Sequence, residues 1–172
     1  MPSPTRQEAR STALQWGVAP SPLGDCVVVL QAGRIVRLQW QDEANLGPSA
    51  AGFTSATMAY QPTVSWQLGC WLSAWWQGTS VQLPMAFAGT ALQQSVWQTL
   101  QHIPWGERWS YQQVATAVGR PRAVRAVASA IARNPIMLFV PCHRVVRSDG
   151  RFGGYRGGDW RKVQLLALEQ GT

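Results

Sequence analysis

Residues 89–135, GTALQQSVWQTLQHIPWGERWSYQQVATAVGRPRAVRAVASAIARNP, contain three helix starts in close succession. Thr90 is followed three residues later by Gln93, and Ser110 by Gln113. In each pair a hydroxyl and an amide can cap the same helix end reciprocally. Leu92, Val96, Leu100 and Ile103 then share one helical stripe, which Pro104 ends. The second capping box opens a short helix over 111–118 that Gly119 closes, and Pro121 stands where a first-turn proline starts a third helix running to Ala132. Short helices joined by a tight glycine turn read as a helix-turn-helix. In the third helix Val124, Val127, Ala128 and Ile131 share one face, while Arg122, Arg125, Ala126, Ser129 and Arg133 span the opposite arc. Alanines at 123, 126, 128, 130 and 132 leave little bulk around the arginine stems, so this helix can approach another surface closely.

The charge follows the same division. The 172-residue chain has a formal net charge of +7. Four arginines and five acids give −1 over residues 1–107, whereas ten arginines and Lys162 against Asp149, Asp159 and Glu169 give +8 over 108–172. A basic half of this kind suits a polyanion, and arginine is the side chain that forks onto phosphates. No apolar run is long enough to span a membrane, and the N-terminus lacks the apolar core of a secretion signal. Three cysteines at wide spacing do not make a disulfide framework, so a reducing compartment is expected.

Upstream, the first 12 residues read as a loose start. Residues 26–31 predict a strand, Ala32-Gly33 a turn, and 34–40 its partner, with Val36, Leu38 and Trp40 on one face and Arg37 and Gln39 on the other. Residues 44–63 give no clear pattern. A helix is expected over 66–77, with Leu68, Leu72, Trp75 and Trp76 in its stripe and Gly78 as its stop. The first half therefore reads as a small α/β layer and the second, beginning near Gly89, as a helical unit: domains 1–88 and 89–172.

Downstream, Asn134-Pro135 leads into an apolar segment, 136–140, that reads as a strand delivering Pro141-Cys142-His143-Arg144-Val145. Most cysteines are inert small hydrophobes. A thiolate is nevertheless a strong nucleophile, and an imidazole in reach, directly or through a water, can take its proton. Adjacent residues of an extended chain point apart, so Cys142 and His143 need a turn or a water to communicate. Glu169 is the candidate to orient the imidazole. It lies in the last turn of a helix that Asp159 is expected to cap, where a carboxylate opposes the helix dipole; a solvated chain end is the alternative. Between them the loop Arg151-Phe152-Gly153-Gly154-Tyr155-Arg156-Gly157-Gly158 allows close backbone approach to a flat ligand. It has no phosphate-loop pattern.

These segments carry a resemblance. Ser110-Tyr111-Gln112-Gln113, Arg122 to Val127, Asn134-Pro135, Pro141 to Val145, Gly154 to Gly158 and Leu165 to Glu169 resemble, in order and spacing, the O6-alkylguanine-DNA alkyltransferases. The match covers residue 89 to the end and is loose before that. The resemblance implies an α+β protein, with a small ribonuclease H-like N-terminal domain followed by a mainly helical domain bearing a winged helix-turn-helix. It implies binding of duplex DNA, extrusion of the damaged base, and irreversible transfer of the alkyl group from guanine O6, and also from thymine O4, to Cys142.

By position, His143 would deprotonate Cys142 through a water and Glu169 would hold His143. Arg125 would fill the space of the extruded base, with Arg122, Ser129 and Arg133 beside it on the DNA. Tyr111 would stack near the flipped nucleotide and donate to the leaving base. Asn134 would brace the turn beside Cys142, and Val145, Tyr155 and Arg156 would meet the guanine. Arg147 and Arg151 are further candidates for backbone contacts.

The lesion is itself the alkyl donor, so no cofactor is expected. No metal is expected either: some relatives bind zinc in the first domain with Cys and His ligands, and here the only candidates in that domain are Cys26 and Cys70, the two histidines lying at 102 and 143. Leu92 stands where the family often has Phe. Relatives that sense lesions without repairing them have Trp in place of the cysteine. The resemblance further implies a cytoplasmic monomer needing no protein partner. A DNA-binding regulator and a Cys-His hydrolase are the competing readings, and the hydrolase leaves the arginine helix unexplained.

Overall fold

Ala32 and Gly33 both adopt positive φ, 48° and 73°, the pair of left-handed residues that a two-residue hairpin turn requires. They join β2 (Cys26–Gln31) to β3 (Arg34–Trp40), the two strands expected from the alternation. The computed structural model describes residues 13–43 and 58–171. The expected loose start and residues 44–57 of the unpatterned stretch lie outside the described residues. The chain divides into two compact units, 1–86 and 87–172.

In the first unit, β1 (Leu14–Ala19) pairs antiparallel with β2, and β4 (Met58–Tyr60) pairs parallel with β1, giving the sheet order β3-β2-β1-β4. The far edge of β3 is covered: Ile35 N donates to Pro84 O and Ala86 N donates to Ile35 O. One expectation for β3 needs correcting. Leu38 and Trp40 are buried, but Val36 is only half-buried and Ile35 is wholly buried. Pairing passes from Val29–Arg37 to Leu30–Ile35, leaving Val36 without a cross-strand partner. That bulge shifts the inward parity of the strand by one residue.

Helix α1 (Pro62–Trp76) begins four residues before the expected start, with proline in its first turn, and buries Val64, Leu68, Leu72 and Trp75. Trp76, expected in that stripe, is half-buried. The helix approaches β1 so closely that a Cβ at Gly17 would collide with the Ser65 backbone, and Ser65 Oγ accepts from Val18 N at 3.0 Å.

The second unit begins with α2 (Ala91–Leu100), followed after β5 (Trp109–Ser110) by α3 (Tyr111–Ala117) and then α4 (Val124–Ala132). Both capping boxes form reciprocally, Thr90 with Gln93 and Ser110 with Gln113. Val96, Trp97 and Leu100 are buried with Ile103, and Trp97 Nε1 donates to Ala130 O at 2.8 Å. Ala130 thus joins Val127 and Ile131 on the buried face of α4, while Ala128 and Val124 are half-buried. Pro121 does not start this helix. Its carbonyl accepts from Gln112 Nε2, and Ala123 N donates to Arg120 O, so 120–123 form a turn and Arg122 stands outside the helix.

The expected strand at 136–140 is also replaced by a turn. Val140 N donates to Ile136 O and Leu138 has φ 65°. Asn134 closes this loop from inside, Nδ2 donating to Val140 O at 2.8 Å and Oδ1 accepting from Ile136 N at 3.0 Å. An amide that mimics two backbone partners stabilises a fold-back that apolar composition alone would read as extended. Cys142–Arg144 form one turn of 3-10 helix, and β6 (Val145–Val146) then pairs parallel with β5. Helix α5 (Asp159–Glu169) closes the unit. Asp159 is its first residue and not its cap: its Oδ1 accepts from Tyr155 N at 2.9 Å.

Gly17→Ala should destabilise the protein by about 1–3 kcal/mol, the usual range for overpacking, read as a lowered urea midpoint. An unchanged midpoint would mean that α1 does not press on β1 at this point.

Candidate active site

The 3-10 turn supplies what an extended strand could not. It places Cys142 at a cavity and sends His143, the next residue, into the interior. His143 is fully buried and Cys142 is 7% exposed. His143 Nε2 lies 2.8 Å from Glu169 Oε1. With Glu169 ionised, Nε2 carries the proton and donates it, which leaves Nδ1 as the basic nitrogen.

The same carboxylate is gripped by a residue that the motif reading did not assign. Arg144 donates from Nε at 2.9 Å to Oε2 and from Nη2 at 3.0 Å to Oε1, and its Nη1 reaches Ile103 O at 2.6 Å. Gly106 N donates to Oε2 at 3.3 Å. The Arg144 guanidinium also lies over the Trp105 ring, 5.7 Å from its centre. The available signal was position: Arg144 shares the single turn that aims His143.

Burial alone would raise the Glu169 pKa, but the hydrogen bonds and charges of His143 and Arg144 outweigh it, and the carboxyl titrates below its ordinary 4.5. For His143 burial dominates. It lowers the pKa below 6.5 despite the hydrogen bond and charge of Glu169, and Arg144 and Lys162 push the same way. The imidazole is therefore neutral at rest, the form that can accept a proton.

On the other side of Cys142 lies a cavity of about 30 Å³ lined by Tyr111, Asn134, Met137, Tyr155 and Arg156, together with residues of α4. That volume holds a water, whereas a cavity that holds benzene measures about 150 Å³. The structure thus brings together around one space Cys142, Tyr111, Asn134, Tyr155 and Arg156 from the sequence candidates. His143 and Glu169 stand behind the turn. Val145 is absent from the lining, and its carbonyl accepts from Lys162 Nζ at 2.6 Å. The Tyr155 and His143 rings meet edge to face at 6.4 Å.

Gly153 permits the loop to lie against Tyr111, since a Cβ there would collide with the phenol oxygen. Burial, and then the charge of the Cys142 thiolate, raise the Tyr111 pKa above 10.0. The phenol therefore stays protonated and can donate. Arg122, Arg125 and Arg133 are exposed, and Ser129, half-buried, accepts from Arg133 Nη1. Arg147 and Arg151 are exposed and flank Asp149. Among the described residues no cluster of three or more His, Cys, Asp or Glu could hold a metal ion, and no helix is long and apolar enough to cross a membrane.

Residues 91–171 match the family model described as 6-O-methylguanine DNA methyltransferase, DNA binding domain. The chain is 40% identical over 150 residues to the methylated-DNA–protein-cysteine methyltransferase of Mycobacterium leprae, covering 87% of this chain and 88% of that one. It is 42% identical over 171 residues to the bifunctional transcriptional activator/DNA repair enzyme Ada of Escherichia coli, covering 95% of this chain. It spans only about half, 48%, of that relative's length. Its fold is similar to that of Mycobacterium tuberculosis OGT solved in complex with DNA, with a TM-score of 0.81 at 31% identity over 91% of this chain and 93% of that one.

Two outcomes follow from the charge cluster. Arg144→Ala, which strands Glu169 in the interior, should cost about 3–5 kcal/mol in chemical denaturation; a loss typical of a surface pair, under about 1 kcal/mol, would contradict the burial. Unfolded His143 takes up a proton near pH 6.5 and the buried ring does so only at lower pH, so stability should fall as pH drops below 6.5. Glu169, whose folded pKa is depressed, adds a second loss below about pH 4.5. Denaturation curves collected between pH 7 and 4, by an about 0.5-unit step, would contradict a neutral buried His143 if they gave constant stability.

Proposed function

The chain belongs to the methylated-DNA–protein-cysteine methyltransferase family, and on that premise we propose that it repairs duplex DNA by taking the alkyl group of O6-alkylguanine, and of O4-alkylthymine, irreversibly onto Cys142. The observation that carries this is a cysteine at the edge of a small cavity whose neighbouring residue is a neutral histidine fixed on a buried carboxylate. The second half, 89–172, acts as the DNA-binding and acceptor domain, a winged helix-turn-helix in type. The first, 1–88, is a ribonuclease H-like support.

The chemistry is a single displacement. His143 Nδ1 accepts the Cys142 thiol proton through a water and Glu169, held by Arg144, keeps the ring aimed. The thiolate attacks the alkyl carbon, so that an S–C bond forms as the C–O6 bond breaks, and Tyr111 donates a proton to the leaving guanine. A thioether has no good leaving group, and among the described residues no second thiol lines the cavity, so each molecule acts once. The lesion is the alkyl donor, and the residues in roles require neither a metal nor a cofactor.

A base inside the duplex cannot reach Cys142, so it must be extruded. Arg125, exposed on α4, fills the gap in the stack, with Arg122, Ser129 and Arg133 on the backbone beside it. The free cavity is too small for a purine, so entry requires the 153–156 segment over Tyr111 to yield. Asn134 keeps the Cys142 turn in place while it does, and Val145, Tyr155 and Arg156 then meet the base. The protein acts as a monomer without a protein partner, in the cytoplasm.

Two measurements test this. With excess duplex bearing O6-methylguanine, lesion loss should stop at one per protein molecule and vanish in Cys142→Ala; continued turnover would refute single use. Arg125→Ala should slow repair in duplex by about tenfold or more and leave reaction with free O6-methylguanine near wild type. Equal losses on both substrates would remove Arg125 from the extrusion step.

A further inference from the structure

Phe152 is a large apolar side chain left 45% exposed, and the chemistry above gives it no task. It stands in the glycine loop that closes the cavity beside Cys142. The Arg108 guanidinium lies over its ring, 5.9 Å from the centre. Arg108 is itself exposed and makes no ion pair among the described residues. It immediately precedes β5, and Tyr111 follows three residues later at the start of α3. Two successive loop residues therefore meet one short stretch of chain. Phe152 meets Arg108, and Gly153 lies so close to Tyr111 that a Cβ would collide with the phenol oxygen.

The polar ties of this loop run elsewhere. The buried Lys162 of α5 donates from Nζ to Gly153 O at 3.2 Å, and Asp159 Oδ1 at the start of α5 accepts from Tyr155 N at 2.9 Å. On the other flank Arg147 N donates to Arg151 O at 3.0 Å, closing the turn that follows β6. Residues 152–154 are thus anchored to α5 and at both ends by hydrogen bonds, whereas toward α3 they are held by the Arg108–Phe152 contact and the packing of Gly153 on Tyr111. A Cβ at Gly154 would meet nothing within 4 Å, so no packing resists displacement there. A cation over an aromatic ring at an exposed site is a weak attraction, which suits a closure that opens and recloses.

Resting on the reading that a base reaches Cys142 only past this segment, we propose that Arg108 and Phe152 form a latch that determines which molecules reach the thiol. Their contact holds 152–154 against Tyr111, and its release lets the segment turn away on its α5 ties. The latched cavity of about 30 Å³ admits water. Anything larger reacts only with the unlatched fraction of molecules, so the pair sets access to Cys142 and leaves the acidity of its thiol alone.

The test uses the full-length protein and iodoacetamide, which is larger than the cavity and needs no DNA: the thiolate forms an S–C bond, a C–I bond breaks and iodide leaves. Labelling of the Cys142 peptide is followed against pH by mass spectrometry, with the peptide of exposed Cys70 as reference. Arg108→Ala and Phe152→Ala should each speed labelling by about two- to fivefold, the population change that loss of an exposed cation–π pair produces. The midpoint of the pH profile should not move. Phe152→Tyr keeps the ring and should stay at the wild-type rate. The double alanine variant should be no faster than either single one, because both remove the same contact.

Wild-type rates in Arg108→Ala, with or without acceleration in Phe152→Ala, would overturn the latch and leave the ring a steric cover. Multiplied rates in the double variant, or a displaced pH midpoint, would overturn it as well. Labelling that follows these expectations in a protein that leaves O6-methylguanine in duplex intact would remove the DNA reading and leave the latch standing, so the two failures are distinguishable.

Discussion

One carboxylate organises the second half of this protein. Glu169 sits in the last turn of α5, where the helix dipole disfavours it, and it is removed from water. It can remain ionised there only if donors are delivered to both oxygens. Those donors come from the 103–106 segment, which brings Gly106 N and the carbonyl that steadies Arg144, and from the 142–144 turn, which brings His143 and Arg144. Segments up to 63 residues apart in sequence must therefore meet in register. The position of Cys142 follows, because it belongs to the same turn.

The geometry separates two tasks that adjacent residues share. The turn directs Cys142 outward to the cavity and His143 inward to the carboxylate. Asn134 fixes the preceding fold-back and β5–β6 pairing fixes the chain that follows. Each is a backbone constraint on the turn, and neither depends on a ligand. The small cavity and the close contact of Gly153 with Tyr111 leave the resting site closed to anything much larger than water. A charged interior of this kind is a cost in stability.

Much of this was legible in the residues. Helix starts at Thr90 and Ser110 could be read because capping is local chemistry, and the hairpin at Ala32-Gly33 because its turn type is set by two residues. The pairing of His143 with Glu169 could be proposed from a carboxylate placed against a helix dipole. What failed depended on contacts distant in sequence. The 136–140 segment looks extended by composition, and only the Asn134 side chain folds it back. Pro121 looks like a helix start until Gln112 takes its carbonyl. β1 pairs with β2 along its whole length, and the purpose of its Gly17 appears only when α1 lies against it. Val36 alternates correctly in isolation, and the bulge is visible only from its partner strand. Arg144 and Lys162 carry no sequence signal of burial, because the carboxylate that holds the first and the carbonyls that hold the second come from other elements.

The most direct test locates the transferred group. The protein is incubated with a duplex containing one O6-methylguanine and digested, and the peptides bearing Cys26, Cys70 and Cys142 are weighed. The account predicts the mass of a single methyl group on the Cys142 peptide alone, with guanine restored in the duplex. An unmodified Cys142 peptide beside an intact lesion, or the methyl on Cys26 or Cys70, would contradict it.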